Sequence, residues 1–141
     1  MINETCPQCG ASVPGGLNGC RELYDQLSYE AFQNVRIASV ITLAFDTYCM
    51  QHIEIFCVSA KSYAAHLTRL CVGLEYGGQS EVYAALQRWY HTNLTKPPVL
   101  LARGSLQIIH VQALDDVEQK REQIHHWAQN VWQAYASQHE I

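Results

Sequence analysis

Apolar residues recur at helical spacing over most of this chain, and the stretches that break the pattern carry as much information. Residues 1–19 show no such period. The run ETCPQCGASVPGGLNG is rich in Gly, Pro and Asn and reads as a loop. From Cys20 the pattern turns helical, with Leu23, Leu27 and Phe32 forming a modest apolar face up to about Asn34. The clearest helix is about Arg36–His52. Ile37, Val40, Ile41, Ala44, Phe45 and Tyr48 repeat there at three- and four-residue steps, and His52 ends the stripe.

Ser59 reads as the N-cap of a helix over about Ala60–Tyr76, with Tyr63, His66, Leu67, Leu70 and Leu74 on its inner face and Gly77-Gly78 as its stop. Ser80 caps a further helix ending near Asn93, with Val82, Leu86, Trp89 and Tyr90 inward, and Lys96-Pro97-Pro98 breaks it. Residues 99–113 fit a helix poorly. Val99-Leu100-Leu101, a turn around Gly104, and Leu106–Val111 predict a short β-hairpin near residues 99–111. The last helix starts at Asp115 or Asp116, where an acidic residue suits the helix dipole, and runs to about His139 on Val117, Ile124, Trp127, Val131 and Tyr135. The pattern predicts an all-α fold: one domain over 1–141, with four to five helices over 20–141 behind an N-terminal knuckle loop over 1–19.

Composition adds bounds. At 141 residues the chain suits one domain with a sizeable core, so it needs no staple to fold. No apolar run reaches the roughly 18 residues of a membrane span, and Met1-Ile2-Asn3-Glu4 lacks the basic start of a signal peptide. The expected location is the cytoplasm, without membrane contact. Thiols stay reduced there, so six cysteines point to metal or redox chemistry before disulfides. Net charge is −4, and the nine Lys and Arg are scattered, so the basic stripe of a nucleic-acid binder is missing.

Cys6-Pro7-Gln8-Cys9-Gly10 is the strongest signal. Two cysteines two residues apart can place both sulfurs on one tetrahedral ion, and the trailing Gly permits the turn. A redox CxxC prefers a helix start after a strand, and no strand is evident before this one. Zinc is therefore the expected metal. A closed structural site needs four ligands, and no second CxxC supplies them. Cys20, eleven residues after Cys9 and at a helix start, is the natural third. His52 is the chosen fourth, because it ends an apolar face; Cys49, one turn earlier, is the runner-up, followed by Cys57 and His66. Three thiolates, a neutral His and a dication sum to −1, and the first 20 residues contain no Lys or Arg. The knuckle thus reads as a clamp.

Other residues have simpler readings. His66 with His52 could start a second site, with Glu54 or Asp46 as a carboxylate ligand, but local packing explains His66 as well. Asp46 lies off the apolar stripe and should be solvated. His125 and His126 point about 100° apart on a helix, so at most one faces inward. Trp127, Trp132 and Tyr135 fit either an aromatic pocket or plain core. Cys49, Cys57 and Cys71 are expected to be inert buried thiols. No nucleophile elbow or phosphate loop is present, so no motif licenses a catalytic role.

The CPQCGA run, Cys20, Tyr48-Cys49-Met50-Gln51-His52 and Trp127-Ala128-Gln129-Asn130-Val131-Trp132 together resemble an uncharacterised bacterial family of unknown function. Its members share CPxCGA, a third Cys, a Tyr-x-x-Gln-His element and a Trp-Ala-x-x-Val-Trp helix. The resemblance covers nearly the whole chain and implies Cys6, Cys9, Cys20 and His52 as a set. Ile53 stands where the family often has Pro, which leaves the turn after His52 open. Two functions remain in view: a zinc-stabilised helical module that binds a protein or small ligand, and a metal-dependent, hydrolase-like enzyme with an open zinc position or a second His-lined site. The first is preferred.

Overall fold

The structure, a computed structural model, describes residues 2–76, 81, 82, 84, 85, 88 and 103–135. Among these the chain runs β1 (Asn3–Thr5), β2 (Ser12–Pro14), α1 (Leu17–Gln33), α2 (Val35–Ala38), α3 (Ile41–Gln51), α4 (Ile53–Phe56), α5 (Ala60–Glu75), α6 (Ile108–Gln112) and α7 (Val117–Ala134). The fold is mostly α. No helix among the described residues is long and apolar enough to cross a membrane.

The segment expected to be all loop holds a two-stranded antiparallel hairpin, with Glu4 opposite Val13 and Thr5 opposite Ser12. Strands of three residues are too short to print an alternation in the sequence. The hairpin tip is the knuckle itself, closed by Cys6 N–H donating to Ala11 O at 2.8 Å and Gly10 N–H to Cys6 O at 2.9 Å. α1 then packs hard against β2. A Cβ on Gly19 would lie 1.8 Å from the Pro14 carbonyl oxygen, so only glycine allows this approach. The approach matters because the next residue is Cys20.

α1 buries Cys20, Tyr24 and Leu27 at helical spacing, and nothing beyond Leu27. Phe32, placed on the inner face by pattern, is 90% exposed because the helix outruns the core. The long helix expected over 36–52 is two, α2 and α3. No Gly or Pro breaks it. The carbonyl of Arg36, which Val40 N–H would serve in a continuous helix, accepts from Ser39 Oγ at 2.8 Å and from Arg121 of α7 at 2.6 Å. Val40 N–H turns to Ile37 O instead. A tertiary contact thus sets the break.

α3 is the central element, packed chiefly against α5 and α7. Leu43, Ala44 and every residue from Asp46 to Gln51 are buried. Ser59 caps α5 as expected, accepting from Ser62 N–H, and Asp116 caps α7, accepting from Gln119 N–H. Tyr63, Leu67 and Leu70 of α5 face Ile124, Trp127, Val131 and Tyr135 in one buried cluster. Each such side chain removed from water contributes roughly 1.5–3 kcal/mol.

The predicted hairpin near 99–111 is not a hairpin in its described part. Residues 103–107 form a loop, and Ile108–Val111, assigned to its second strand, lies in α6. Ile108 and Val111 bury into the core three residues apart, a helical spacing that a short apolar run does not distinguish from a strand. Residues 99–102 lie outside the described residues, as do most of the helix expected from Ser80 to Asn93 and the end of the last helix beyond Tyr135. Of the former, Glu81, Val82, Ala84, Ala85 and Arg88 are helical.

Candidate metal centre

The hairpin tip, the first turn of α1 and the C-terminal end of α3 meet at one point. Cys6, Cys9, Cys20 and His52 present one donor atom each, all four within 4.8 Å of one another and all buried. Cys9 Sγ and Cys20 Sγ are 3.7 Å apart, and His52 Nε2 lies 3.7 Å from Cys6 Sγ and 3.5 Å from Cys20 Sγ. A tetrahedral ion with metal–sulfur bonds of about 2.3 Å and metal–nitrogen bonds of about 2.0–2.1 Å has edges of about 3.8 Å between sulfurs and about 3.6 Å between sulfur and nitrogen. The donor set matches such an ion in number, and these three distances match its edges.

His52 is held for the task. Its Nδ1–H donates to the Tyr48 carbonyl at 2.6 Å, which fixes the tautomer and leaves the Nε2 lone pair facing the sulfurs. The Tyr48 ring stacks on the imidazole, centroids 3.8 Å apart, and its hydroxyl donates to Cys20 Sγ at 3.8 Å. Burial and the neighbouring Cys20 push the Tyr48 hydroxyl far up, so it stays a donor. Cys9 is pushed up to about 12 by its hydrogen bond to Cys20 and by burial. A bound divalent cation reverses that preference and makes the sulfurs thiolates.

A second layer closes over the knuckle from far along the chain, and nothing in the sequence announced it. Arg103 Nη1 donates to Gln8 O at 3.1 Å, Gln8 Oε1 at 3.2 Å and Gln51 O at 3.2 Å, while its other arm pairs with Glu54. Gln107 Nε2 donates to Cys9 O at 3.2 Å. Gln51, next to His52, donates to Arg103 O and Leu106 O and accepts from Trp127 Nε1 at 3.0 Å. Asn130 Oδ1 takes the amides of Ser105 and Leu106. Gly104, at φ +101, passes so close that a Cβ would meet Asn130 Oδ1 at 2.6 Å. The first 20 residues lack Lys and Arg, yet the folded knuckle has a guanidinium against it. The signal available was a lone Arg-Gly-Ser in a segment read as a hairpin.

The remaining candidates lie elsewhere. His66 Nδ1 is 2.8 Å from Asp46 Oδ1, and Arg69 Nε is 3.0 Å from the same oxygen. Asp46, expected in solvent, is fully buried, because α3 has no exposed residue from Leu43 to Gln51 and the single-stripe reading does not apply there. His66 is not among the clustered donors, and neither is Cys49, Cys57, Glu54 or Asp46. Burial pushes the thiols of Cys49, Cys57 and Cys71 up, as suits inert core residues. His125 and His126 are both exposed. Trp127 and Tyr135 are core: the indole bonds Gln51 and the hydroxyl donates to Met50 O.

The family of unknown function DUF5946 matches residues 4–136. The chain belongs to that family. Comparison with curated proteins and with solved structures gives no match. In this DUF5946 member the short motifs that carried the resemblance converge on one place. Tyr48 touches both His52 and Cys20, and Gln51 joins His52's helix to Trp127. Ile53, where the resemblance leads to an expectation of proline, is the first residue of α4. Proline's missing N–H costs nothing at that position, so both residues suit the same turn.

Proposed function

We propose that the protein is a zinc-binding helical module in which Cys6, Cys9, Cys20 and His52 ligate one structural Zn²⁺, and that it works by binding another protein or a small ligand. The supporting observation is the closed donor set: three sulfurs and one imidazole nitrogen within 4.8 Å of one another, none of the four residues more than 7% exposed. Soft thiolates with one imidazole favour zinc over the oxygen-seeking cations. A catalytic zinc keeps one position for water and sits in a cleft. Among the described residues, an open cleft of about 610 Å³ is lined by Glu22, Asp25, Tyr29, Glu30, Gln112 and Lys120, among others, and by none of the four donors. That weighs against the hydrolase-like alternative.

The ion ties the hairpin tip to α1 and to the end of α3. Six free cysteines fit a reducing compartment, the cytoplasm. A net charge of −4 argues against nucleic acid as the partner. Tyr29 and Phe32, three apart on α1, and Val35 at the start of α2 are exposed apolar side chains that a protein partner would cover. Elemental analysis of protein never exposed to acid or chelator tests the reading. About one equivalent of zinc per chain is expected, and well under half an equivalent overturns it.

A further inference from the structure

We infer that the loop 103–107 is a metal-coupled latch: the ion at the knuckle holds this loop shut against α7, and losing the ion releases it. The inference rests on the zinc reading above. Two independent sets of bonds carry it. One runs from the knuckle turn, where the carbonyls of Gln8 and Cys9 accept from Arg103 and Gln107. The other runs from the helix that carries His52, where Gln51 binds the Arg103 and Leu106 carbonyls. Neither set touches the ion. Both originate on residues that are ligands or lie next to one, so the ligand positions decide whether the acceptors and donors are in register.

The loop is five residues of irregular backbone with a left-handed Gly104. Apart from the knuckle and Gln51, Asn130 on α7 takes two of its amides, Glu54 pairs with Arg103, and Gln107 closes onto His110 of α6. The Arg103 guanidinium also fits the charge of the loaded site. Three thiolates with Zn²⁺ and a neutral His leave −1 beside a side chain that is only 13% exposed and shares its charge with Glu54. Release of the ion frees the knuckle turn, so Arg103 loses the Gln8 acceptors it holds there. The latch therefore reports the state of a buried site to the surface and to α7.

Coupling of this kind is reciprocal: if the ion tightens the loop, breaking the loop must weaken the ion by the same factor. The experiment measures both directions on the full chain. Amide hydrogen exchange is followed in zinc-loaded and chelator-stripped protein, with zinc content recorded. Stripping should raise exchange at Ser105 and Leu106 at least tenfold and leave α5 protected. Arg103→Ala should weaken zinc binding about tenfold, while Arg121→Ala, whose contacts are to Arg36 and Ser39, should not. Loaded protein whose 103–107 amides ignore stripping overturns the latch and leaves the zinc site standing. Loss of protection in every helix overturns it too, since the ion would then hold the whole core. Protein that carries and rebinds no zinc overturns both.

Discussion

The indole N–H of Trp127 donates to the side-chain oxygen of Gln51 at 3.0 Å, joining the C-terminal helix to the residue beside His52. Both side chains are fully buried, and Gln51 spends its two donors on the 103–107 loop. One amide thus fixes the orientation of three segments around the Cys6, Cys9, Cys20 and His52 cluster.

Trp127→Phe tests that bond. It keeps most of the ring and leaves Gln51 Oε1 without a donor in the core. An orphaned buried acceptor costs about 1–3 kcal/mol, and the lost ring volume adds to it. The urea midpoint should fall by a corresponding amount with an unchanged slope. A neutral substitution would mean that neither this bond nor the indole's packing contributes to stability.

The approach of α1 to the hairpin gives a second test. In an ordinary exposed helix position Gly→Ala stabilises by up to about 1 kcal/mol. Gly19→Ala should do the opposite, because its Cβ would fall 1.8 Å from the fixed backbone oxygen of Pro14. The variant should lose more than about 2 kcal/mol and bind zinc less tightly, since Cys20 is displaced with it. Unchanged stability and affinity would contradict the tight approach.

Removing a ligand should loosen the clamp and spare the core. His52→Ala should weaken zinc binding, and Cys6→Ser or Cys9→Ser should abolish it more completely, because thiolates dominate the site. Circular dichroism should show most helix retained, while limited proteolysis should cut near Gly15-Gly16. If His52→Ala keeps full affinity and Cys49→Ala loses it, the fourth ligand is misassigned.

Alkaline pH supplies a fourth. Burial pushes Cys57 from 9.0 up to about 12 and moves Cys49 and Cys71 the same way. A raised thiol contributes stability that is fully present below the unfolded value and lost as pH rises towards the folded one. Stability should therefore hold to about pH 9 and then fall by about 1.4 kcal/mol per pH unit for each thiol the unfolded chain ionises. Urea midpoints from pH 7 to 10.5 check this, and Cys57→Ala should lessen the slope. A flat profile would mean that these thiols are solvated.

The centre was largely legible in the sequence because its chemistry is local. Cys6 and Cys9 announce themselves by spacing, Cys20 by its place at a helix start, and His52 by ending an apolar stripe. The stripe reasoning failed for Asp46 because α3 exposes no residue from Leu43 to Gln51, and a stretch with no exposed side has no off-stripe position. Ile108–Val111 read as a strand because so short an apolar-rich run cannot show a period. The break at Ser39 and Val40 comes from Arg121, and the cover over the knuckle comes from Arg103. Those partners lie more than 80 residues away in each case, beyond what any local pattern encodes.

X-ray absorption at the zinc edge on the purified protein tests the central claim most directly. The account predicts a first shell of three sulfurs at about 2.3 Å and one nitrogen at about 2.0–2.1 Å, with the outer-ring scattering of an imidazole. A shell of four sulfurs would put Cys49 or Cys57 in place of His52, and a shell containing a water oxygen would make the site open and the structural reading wrong.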